Sequence, residues 1–192
     1  MASPALNFPA ETLLAAQDIR IAFFDIDGVL TDGGVYFSEH GETLKRFSVL
    51  DGYGLKLLRM AGIVPAVITG RDSKPLRVRL EALGIEHVRY GTEEKLPAAK
   101  AMLAQLGFDR AQAAAIGDDW PDLPMLGHAA FAVAPANAHA EVRAMAHYVT
   151  TARGGDGAAR EFCDLLLTAG GHYRRMLDDA RGDTLRTGSG AA

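Results

Sequence analysis

Three short apolar runs, each followed at once by polar residues, constrain the fold of this chain more than any other feature. The runs are Ile21–Phe24, Val64–Ile68 and Ala113–Ile116. A strand that is apolar at every position is typical of a parallel sheet covered on both faces, because neither face meets water. We therefore expect three buried parallel strands, with polar side chains gathered where these strands end.

Helix-like segments separate the runs, and the alternation predicts a single α/β domain. A length of 192 residues is typical of one domain. The remaining predicted elements are a short lead-in helix at 11–17, helices at 55–60, 75–83, 96–106, 140–145 and 158–169, and strands at 87–90 and 131–133. Strand and helix in turn favour right-handed βαβ crossovers, hence a Rossmann-like three-layer sandwich around a central parallel sheet.

Two stretches depart from this alternation. Residues 34–47 contain two β-rich arms around a glycine-containing turn, which predicts a projecting β-hairpin. The end of the chain is polar, small and rich in glycine, which is typical of disorder. We predict a lead-in over 1–18, one domain over 19–175 and a disordered tail over 176–192.

Composition excludes several classes of function. A formal net charge of −4 gives no attraction to nucleic acid or to anionic membranes, so we expect a small-molecule partner, no nucleic acid and no membrane. One cysteine, Cys163, allows neither an intramolecular disulfide nor a cysteine-built zinc site. We expect a cytoplasmic protein, since no leader or membrane-spanning pattern is evident.

The polar residues after the three runs predict one catalytic crevice. Asp25 and Asp27 follow the first run, Thr69 the second and Asp118 the third. The carboxyl ends of parallel strands meet at one edge of the sheet, where ligands of such sheets bind. Two carboxylates separated by one residue are able to act as a nucleophile and as an acid/base. Gly28 gives the backbone freedom for that turn.

The motif at residues 25–32, Asp-Ile-Asp-Gly-Val-Leu-Thr-Asp, resembles the first motif of the haloacid dehalogenase (HAD) superfamily. Thr69, Lys95 and the Gly-Asp-Asp of residues 117–119 resemble the second, third and fourth motifs, in the same order. The resemblance implies a HAD-type fold and a Mg²⁺-dependent phosphatase in which Asp25 becomes phosphorylated. It also implies an acid/base role for Asp27, phosphate binding by Thr69 and Lys95, Mg²⁺ ligands from Asp25, the Asp27 carbonyl and Asp118, and orienting roles for Asp119 and Asp122.

The segments between the motifs are too short for the cap domain that covers many active sites of this superfamily. The chain therefore resembles the capless branch, which implies a homotetramer in which neighbouring subunits cover the site. The predicted hairpin is a plausible arm for those contacts, and an ordinary surface hairpin is the alternative.

Within that branch the chain resembles, over residues 12–175, the family that hydrolyses 3-deoxy-D-manno-octulosonate 8-phosphate to the sugar acid and phosphate in lipopolysaccharide synthesis. The likeness rests on residues 25–33, 47–54, 68–71, 117–119 and 154–161. Sugar-acid recognition requires cations, and guanidinium groups suit carboxylates. The implied substrate contacts are Asp27, Ser48, Val49, Leu50, Asp51, Gly52, Lys56, Thr69, Gly70, Arg71, Arg79, Lys95 and Arg160, of which Arg160 acts in its own or in a neighbouring subunit's site.

Three positions depart from the family pattern. Leu50 stands where many relatives have a basic residue, Lys56 where arginine is frequent and Asp156 where arginine is common. Arg79 and Lys56 also fit solvated helix charges. The alternatives are therefore a HAD phosphatase for another sugar phosphate or a nine-carbon sugar acid, and a phosphate-accepting regulatory module.

Overall fold

A computed structural model of the chain describes residues 4–182, in which strands and helices alternate as predicted. The strands are β1 (Ile21–Phe24), β2 (Tyr36–Ser38), β3 (Gly41–Leu44), β4 (Val64–Ile68), β5 (His87–Arg89), β6 (Ala113–Ile116), β7 (Phe131–Ala134) and β8 (Tyr148–Val149). The helices are α1 (Ala10–Ala15), α2 (Val49–Met60), α3 (Lys74–Leu83), α4 (Lys95–Leu106), α5 (Leu123–His128), α6 (Ala140–Met145), α7 (Ala158–Ala169) and α8 (Tyr173–Ala180).

Six strands form one parallel sheet in the order β5-β4-β1-β6-β7-β8. The chain moves outward from β1 through β4 to β5 and then returns to the other side of β1 with β6. This reversal leaves a crevice at the carboxyl ends of β1 and β6, which is where ligands of open α/β sheets bind. The predicted three-layer α/β architecture is confirmed.

Each face of the sheet has its own apolar core, because successive strand residues point to opposite faces. Ala22 and Phe24 pack with residues of α2, α3 and α7, whereas Ile21 and Phe23 pack with residues of α4, α5 and α6. All four residues of β1 are buried, as their uniform apolarity predicts. Cys163 lies buried in the first core.

The predicted hairpin is present as the antiparallel pair β2 and β3. Its base returns to the sheet through a bridge between Phe47 and Thr31, which lies in the turn after β1. Within the described residues, the hairpin and α2 are the only helices or strands between β1 and β4, and the chain there forms no cap domain.

Helix α2 begins six residues earlier than predicted, so residues 49–52 are helical instead of a loop. Ser48 caps the helix by accepting the Leu50 N–H at 3.2 Å. Gly52 and Gly54 suggest a break, but both permit close packing. A Cβ on Gly52 would lie 2.5 Å from the Arg79 guanidinium, and one on Gly54 would lie 3.1 Å from the Cys163 Sγ.

Helix α8 includes residues 176–180, which the sequence pattern assigns to the disordered tail. Met176 packs against the first core, and Arg174 pairs with Asp178 one turn later at 2.8 Å. The rest of the predicted tail, from 183 onward, lies outside the described residues. In the part of the chain that the structure covers, no helix has both the length and the apolar character to cross a membrane.

Candidate active site

A polar cavity of about 430 Å³ opens at the carboxyl ends of β1, β4 and β6. It brings together nine of the residues that the sequence singled out, in addition to Glu93 and Pro121. The nine are Asp25, Asp27, Thr69, Gly70, Arg71, Lys95, Asp118, Asp119 and Asp122. The segments after β1, β4 and β6, which are distant in the sequence, therefore share one crevice, as the strand-end argument predicts, and the start of α4 adds Lys95.

Lys95 lies at the centre of a buried ionic cluster. Its ammonium donates to Asp25 Oδ1 and to Asp122 Oδ1, each at 2.6 Å. Burial alone would lower the pKa of Lys95, but the charges of Asp25 and Asp122 outweigh that effect and the pKa is raised. Lys95 therefore stays charged, held by two carboxylates that fix the position of its nitrogen.

Asp122 has a second task besides binding Lys95, because it also holds the loop after β6 in place. Its Oδ2 accepts the backbone N–H groups of Asp118 at 3.0 Å and Asp119 at 3.3 Å. Both carboxylate oxygens of Asp122 thus have protein partners. These contacts suit the orienting role that the sequence predicts for Asp122, which stays a prediction.

Asp118 faces the turn after β1 at very short range. Gly28 has a φ of +91°, and a Cβ at this position would overlap Asp118 Oδ2. Only a residue without a side chain lets the two loops approach so closely. Gly28 therefore allows Asp118 to reach the carboxylate of Asp25.

The carboxylates of Asp25, Asp118 and Asp122 lie within 4.8 Å of one another. Burial and the charge of Asp122 raise the pKa of Asp25 to about 7, and burial and the charge of Asp25 raise that of Asp118 to about 8. The single positive charge of Lys95 does not balance three carboxylates, so the cluster carries excess negative charge. Oxygen donors that crowd each other in this way suit a hard divalent cation such as Mg²⁺, which would take oxygens of Asp25 and Asp118.

The second wall of the cavity is the loop after β4. Thr69 is buried, and its hydroxyl oxygen accepts the Arg71 N–H at 3.2 Å. Arg71 is half exposed and extends its Nε to 3.5 Å from Asp27 Oδ2.

The hairpin contributes two site residues to which sequence reasoning assigned no role, Lys45 and Glu42. The fully buried ammonium of Lys45 contacts Asp27 Oδ1 at 2.5 Å and Glu42 Oε1 at 3.1 Å. No signal in the sequence distinguishes Lys45 from the adjacent Arg46, which is exposed and pairs with Asp156. Only the path of the hairpin base decides which cation points inward.

Several predicted substrate residues lie away from the residues that line the cavity. Val49 and Leu50 are exposed at the start of α2, and Lys56 lines a separate surface cavity. The remaining five, Ser48 among them, have contacts within the chain. Asp51 accepts N–H groups of residues 157 and 160, Arg79 donates to the Ser48 carbonyl oxygen, Gly52 packs on Arg79, and Arg160 pairs with Asp164.

The glycine-rich segment before α7 supports the turn that carries Asp25 and Asp27. The Gly155 N–H donates to the Val29 carbonyl oxygen at 2.9 Å. A Cβ added to Gly154 would overlap the Gly28 carbonyl oxygen, and one added to Gly155 would overlap the Asp32 nitrogen. Backbone packs on backbone here, so neither position has room for a side chain.

Replacement of Gly154 by Ala is therefore expected to lower the free energy of unfolding by about 2–4 kcal/mol and to displace the Asp25 turn. Chemical denaturation measures the first effect and phosphate release the second. Gly127→Ala is the matched control, because a Cβ there meets only the flexible end of Met145 at 3.4 Å. An unfolding free energy of Gly154→Ala equal to that of wild type would contradict the close contact.

An aspartate cluster served by one lysine at the switch point of a parallel sheet is the arrangement of haloacid dehalogenase-like hydrolases. A family model with that description matches residues 91–162. This match spans the segment from the loop before Lys95 to the first turns of α7.

Similar proteins narrow the class further. The 3-deoxy-D-manno-octulosonate 8-phosphate phosphatase of Yersinia pestis is 44% identical over 159 residues, 83% of this chain and 85% of its own. A probable phosphatase from Pseudomonas syringae is 43% identical with a TM-score of 0.86, covering 89% of this chain and 98% of that one. The 3-deoxy-D-manno-octulosonate 8-phosphate phosphatase of Moraxella catarrhalis was solved with magnesium, phosphate and KDO. It is 38% identical with a TM-score of 0.85, and the match covers 88% of this chain and 97% of that one. The chain belongs to the family of 3-deoxy-D-manno-octulosonate 8-phosphate phosphatases.

Proposed function

We propose that this protein hydrolyses 3-deoxy-D-manno-octulosonate 8-phosphate to the sugar acid and inorganic phosphate, with Mg²⁺ as cofactor. The observation that carries the proposal is the contact of Lys95 with Asp25 in a cavity that also holds Asp27, Thr69 and Asp118. The named activity of relatives at 41–44% identity supports the same substrate. The released sugar acid would serve lipopolysaccharide synthesis.

In the first step a carboxylate oxygen of Asp25 attacks phosphorus, and the bond from phosphorus to the ester oxygen breaks. Asp27 gives its proton to the departing sugar oxygen, so the sugar leaves as a neutral alcohol. Lys95 and the Thr69 hydroxyl bind the phosphoryl oxygens, where negative charge is concentrated in the transition state. The product of this step is a phosphorylated Asp25.

In the second step water attacks the phosphorus of the aspartyl phosphate. Asp27, now a carboxylate, takes a proton from the water, and the bond from phosphorus to the Asp25 oxygen breaks. Inorganic phosphate leaves, and both aspartates return to their starting states. Because Asp27 activates water for this step, the phosphorylated form is short-lived, unlike that of a signalling module.

Asp25, the Asp27 carbonyl and Asp118 would hold Mg²⁺, which supplies positive charge that lessens the repulsion between the nucleophile and the phosphate dianion. The residues fit the ion because the donors are all oxygens and the cluster carries excess negative charge. Asp119 lines the same cavity and would orient water beside the ion.

Without metal, the protein is expected to become less stable as the pH rises. The pKa values of Asp25 and Asp118 are about 7 and about 8 in the folded chain, against an ordinary 3.8. Between pH 4 and 8 the folded state therefore binds more protons than the unfolded state, so the free energy of unfolding falls with increasing pH.

Mg²⁺ binds the deprotonated carboxylates, so its stabilising effect is expected to grow over the same pH range. Thermal unfolding from pH 5 to 9, in EDTA and in excess Mg²⁺, measures both trends. A gap between the two unfolding temperatures that narrows towards pH 9 would contradict the proposed ligands. The Asp118→Asn variant provides the control, in which the gap is small throughout.

The protein is further proposed to form a homotetramer in which neighbouring subunits cover the cavity. Tyr36, Phe37 and Leu44 expose apolar surface on the hairpin, and Phe37 is 67% exposed. Val49 and Leu50, at the start of α2 just after the hairpin, are exposed as well. Apolar patches of this kind on a single chain are typical of contact sites.

Substrate contacts from Ser48, Val49, Leu50, Asp51, Gly52, Lys56, Arg79 and Arg160 would then be made in part across subunit boundaries. This proposal accounts for their position away from the cavity of their own chain. Size-exclusion chromatography with light scattering measures the assembly, and a monomer at catalytic concentrations would overturn it. For location we propose the cytoplasm, since a chain with one cysteine suits a reducing compartment.

Phosphate release across a panel of sugar phosphates, with and without EDTA, tests the proposed function. The panel contains 3-deoxy-D-manno-octulosonate 8-phosphate, a nine-carbon sugar-acid phosphate and neutral sugar phosphates. The eight-carbon acid is expected to give the highest kcat/KM, and EDTA to abolish the activity. Equal kcat/KM across the panel would remove the substrate assignment, and activity that survives EDTA would remove the metal assignment.

A further inference from the structure

We infer that Lys45 is a positioning residue that fixes the carboxyl group of Asp27 for proton transfer to the leaving oxygen. This inference rests on the proposed phosphatase function and assigns a role to the hairpin within it. Lys45 would not touch the substrate itself.

The burial of Lys45 is the first argument. Its side chain has no solvent exposure, although the hairpin that carries it is largely exposed. Removal of an ammonium from water is costly unless the ammonium is paired. Lys45 is paired on two sides, by Asp27 and by Glu42.

The surroundings of Glu42 show that the ammonium is held in place and does not merely neutralise charge. Glu42 accepts the Ser73 hydroxyl at 2.7 Å, and Ser73 precedes the first turn of α3. Arg71 extends its guanidinium towards Glu42 at 3.8 Å and towards Asp27 at 3.5 Å. Lys45 is thus anchored to α3 and to the loop after β4, both outside the hairpin.

The contact of Lys45 restricts Asp27, the acid/base, more than Asp25, the nucleophile. Lys45 contacts only one oxygen of Asp27, Oδ1, while Oδ2 lies on the side of Arg71. Proton transfer to the leaving group needs a carboxyl group held at hydrogen-bond distance and in a fixed rotamer. Asp25 is oriented separately, by Lys95. Loss of Lys45 should therefore affect leaving-group protonation and spare the attack on phosphorus.

Comparison of two kinds of substrate tests this role. The Lys45→Met variant is expected to lose about 10- to 100-fold in kcat/KM for an alkyl phosphate such as the sugar-acid phosphate, part of the about 10²- to 10⁴-fold effect of general acid catalysis. With 4-nitrophenyl phosphate, whose leaving group departs without a proton, kcat/KM should fall less than about threefold. The value of kcat/KM reports only the steps up to leaving-group departure, so hydrolysis of the phosphorylated enzyme does not affect it. A purely structural Lys45 would lower both values by the same factor, which would overturn the inference.

A second measurement uses the sugar-acid phosphate alone. If Lys45 acts through Asp27, the Lys45→Met change should have no further effect on kcat/KM in an Asp27→Asn background. An equal loss in both backgrounds would overturn the inference. Lys100→Met, the same chemical change at an exposed site on α4, is the control and should match wild type.

Folding is monitored by thermal unfolding, because removal of Lys45 takes away the nearer of the two cations that Asp27 and Glu42 share. If Lys45→Met does not fold, Glu42→Gln replaces it. This variant keeps Lys45 and weakens one of its two anchors by removing the charge of Glu42, and it should show a smaller loss with the same preference for the aryl phosphate. No change in that preference would overturn the inference. A wild-type protein inactive on every phosphomonoester would instead overturn the proposed function.

Discussion

Replacement of Asp25 by Asn is expected to reduce phosphate release by at least about 10⁴-fold, because the amide cannot form the phosphorylated intermediate. Asn keeps the size of the side chain and leaves Lys95 bound to Asp122. Burial and the neighbouring Asp122 already raise the pKa of Asp25, so the fold disfavours charge at this position. The metal-free variant is therefore expected to unfold at a temperature no lower than that of wild type. Steady-state assays and thermal unfolding measure the two effects.

Asp109→Asn is the matched control for this experiment, since Asp109 is exposed and precedes β6 at the end of the sheet opposite the cavity. It should retain wild-type activity. Magnesium-dependent turnover by Asp25→Asn within about tenfold of wild type would refute the nucleophile assignment. A large drop in unfolding temperature would show instead that the carboxylate is structural.

Replacement of Lys95 by Met is expected to lower kcat about 10²- to 10³-fold, which is the usual effect of removing one group that stabilises transition-state charge. The ammonium lies 2.6 Å from Asp25 and from Asp122, and its loss leaves these buried carboxylates without a cation. The free energy of unfolding in EDTA should therefore fall by about 3–5 kcal/mol. Saturating Mg²⁺ should recover part of that stability and little of the activity.

The exposed Lys100 again provides a control with the same chemical change, five residues along α4. Steady-state assays over a range of substrate concentrations at saturating Mg²⁺ give kcat and KM separately, which distinguishes chemistry from binding. Unchanged kcat with a raised KM would mean that Lys95 binds phosphate equally in the ground and transition states, which would contradict its role in stabilising transition-state charge.

The central sheet was predictable because the strands carry an unmixed signal. Val64–Ile68 and Ala113–Ile116 have the predicted bounds, since buried parallel strands are apolar throughout and end where polar chemistry begins. The same rule explains the convergence of Asp25, Thr69 and Asp118. Strand ends in a parallel sheet share an edge whatever the sequence distance between them, so topology alone brings these residues together.

The start of α2 was not predictable from local sequence. Gly52 and Gly54 lower helix propensity, and residues 48–52 therefore suggest a loop. The helix forms because α2 packs closely on α7, where Cys163 occupies the space that a side chain on Gly54 would need. Asp51, buried beneath α7, accepts the Arg160 N–H at 2.8 Å and caps that helix from a distance. These are tertiary contacts, and tertiary contacts override propensity.

Lys45 shows the same limit within the site. The strand pattern predicts a hairpin at residues 34–47 but not the bridge from Phe47 to Thr31 that directs its base. Without that bridge, Lys45 and Arg46 are two equivalent surface cations. Arg79 shows the opposite case. The sequence predicts that its guanidinium binds a sugar acid, but in the structure it packs beside Phe47 and donates to the Ser48 carbonyl oxygen.

The anchored base of the hairpin has a consequence for how sequences of this kind diverge. Exposed loop tips commonly accept insertions and deletions, but the base of this hairpin is fixed by its contacts. Here Phe47, Arg46 and Lys45 each have a separate partner, so one residue gained or lost after Leu44 would exchange the inward and outward cations. Length variation should therefore be confined to the turn at residues 39 and 40, while the three residues of the base stay consecutive and keep their inward and outward order.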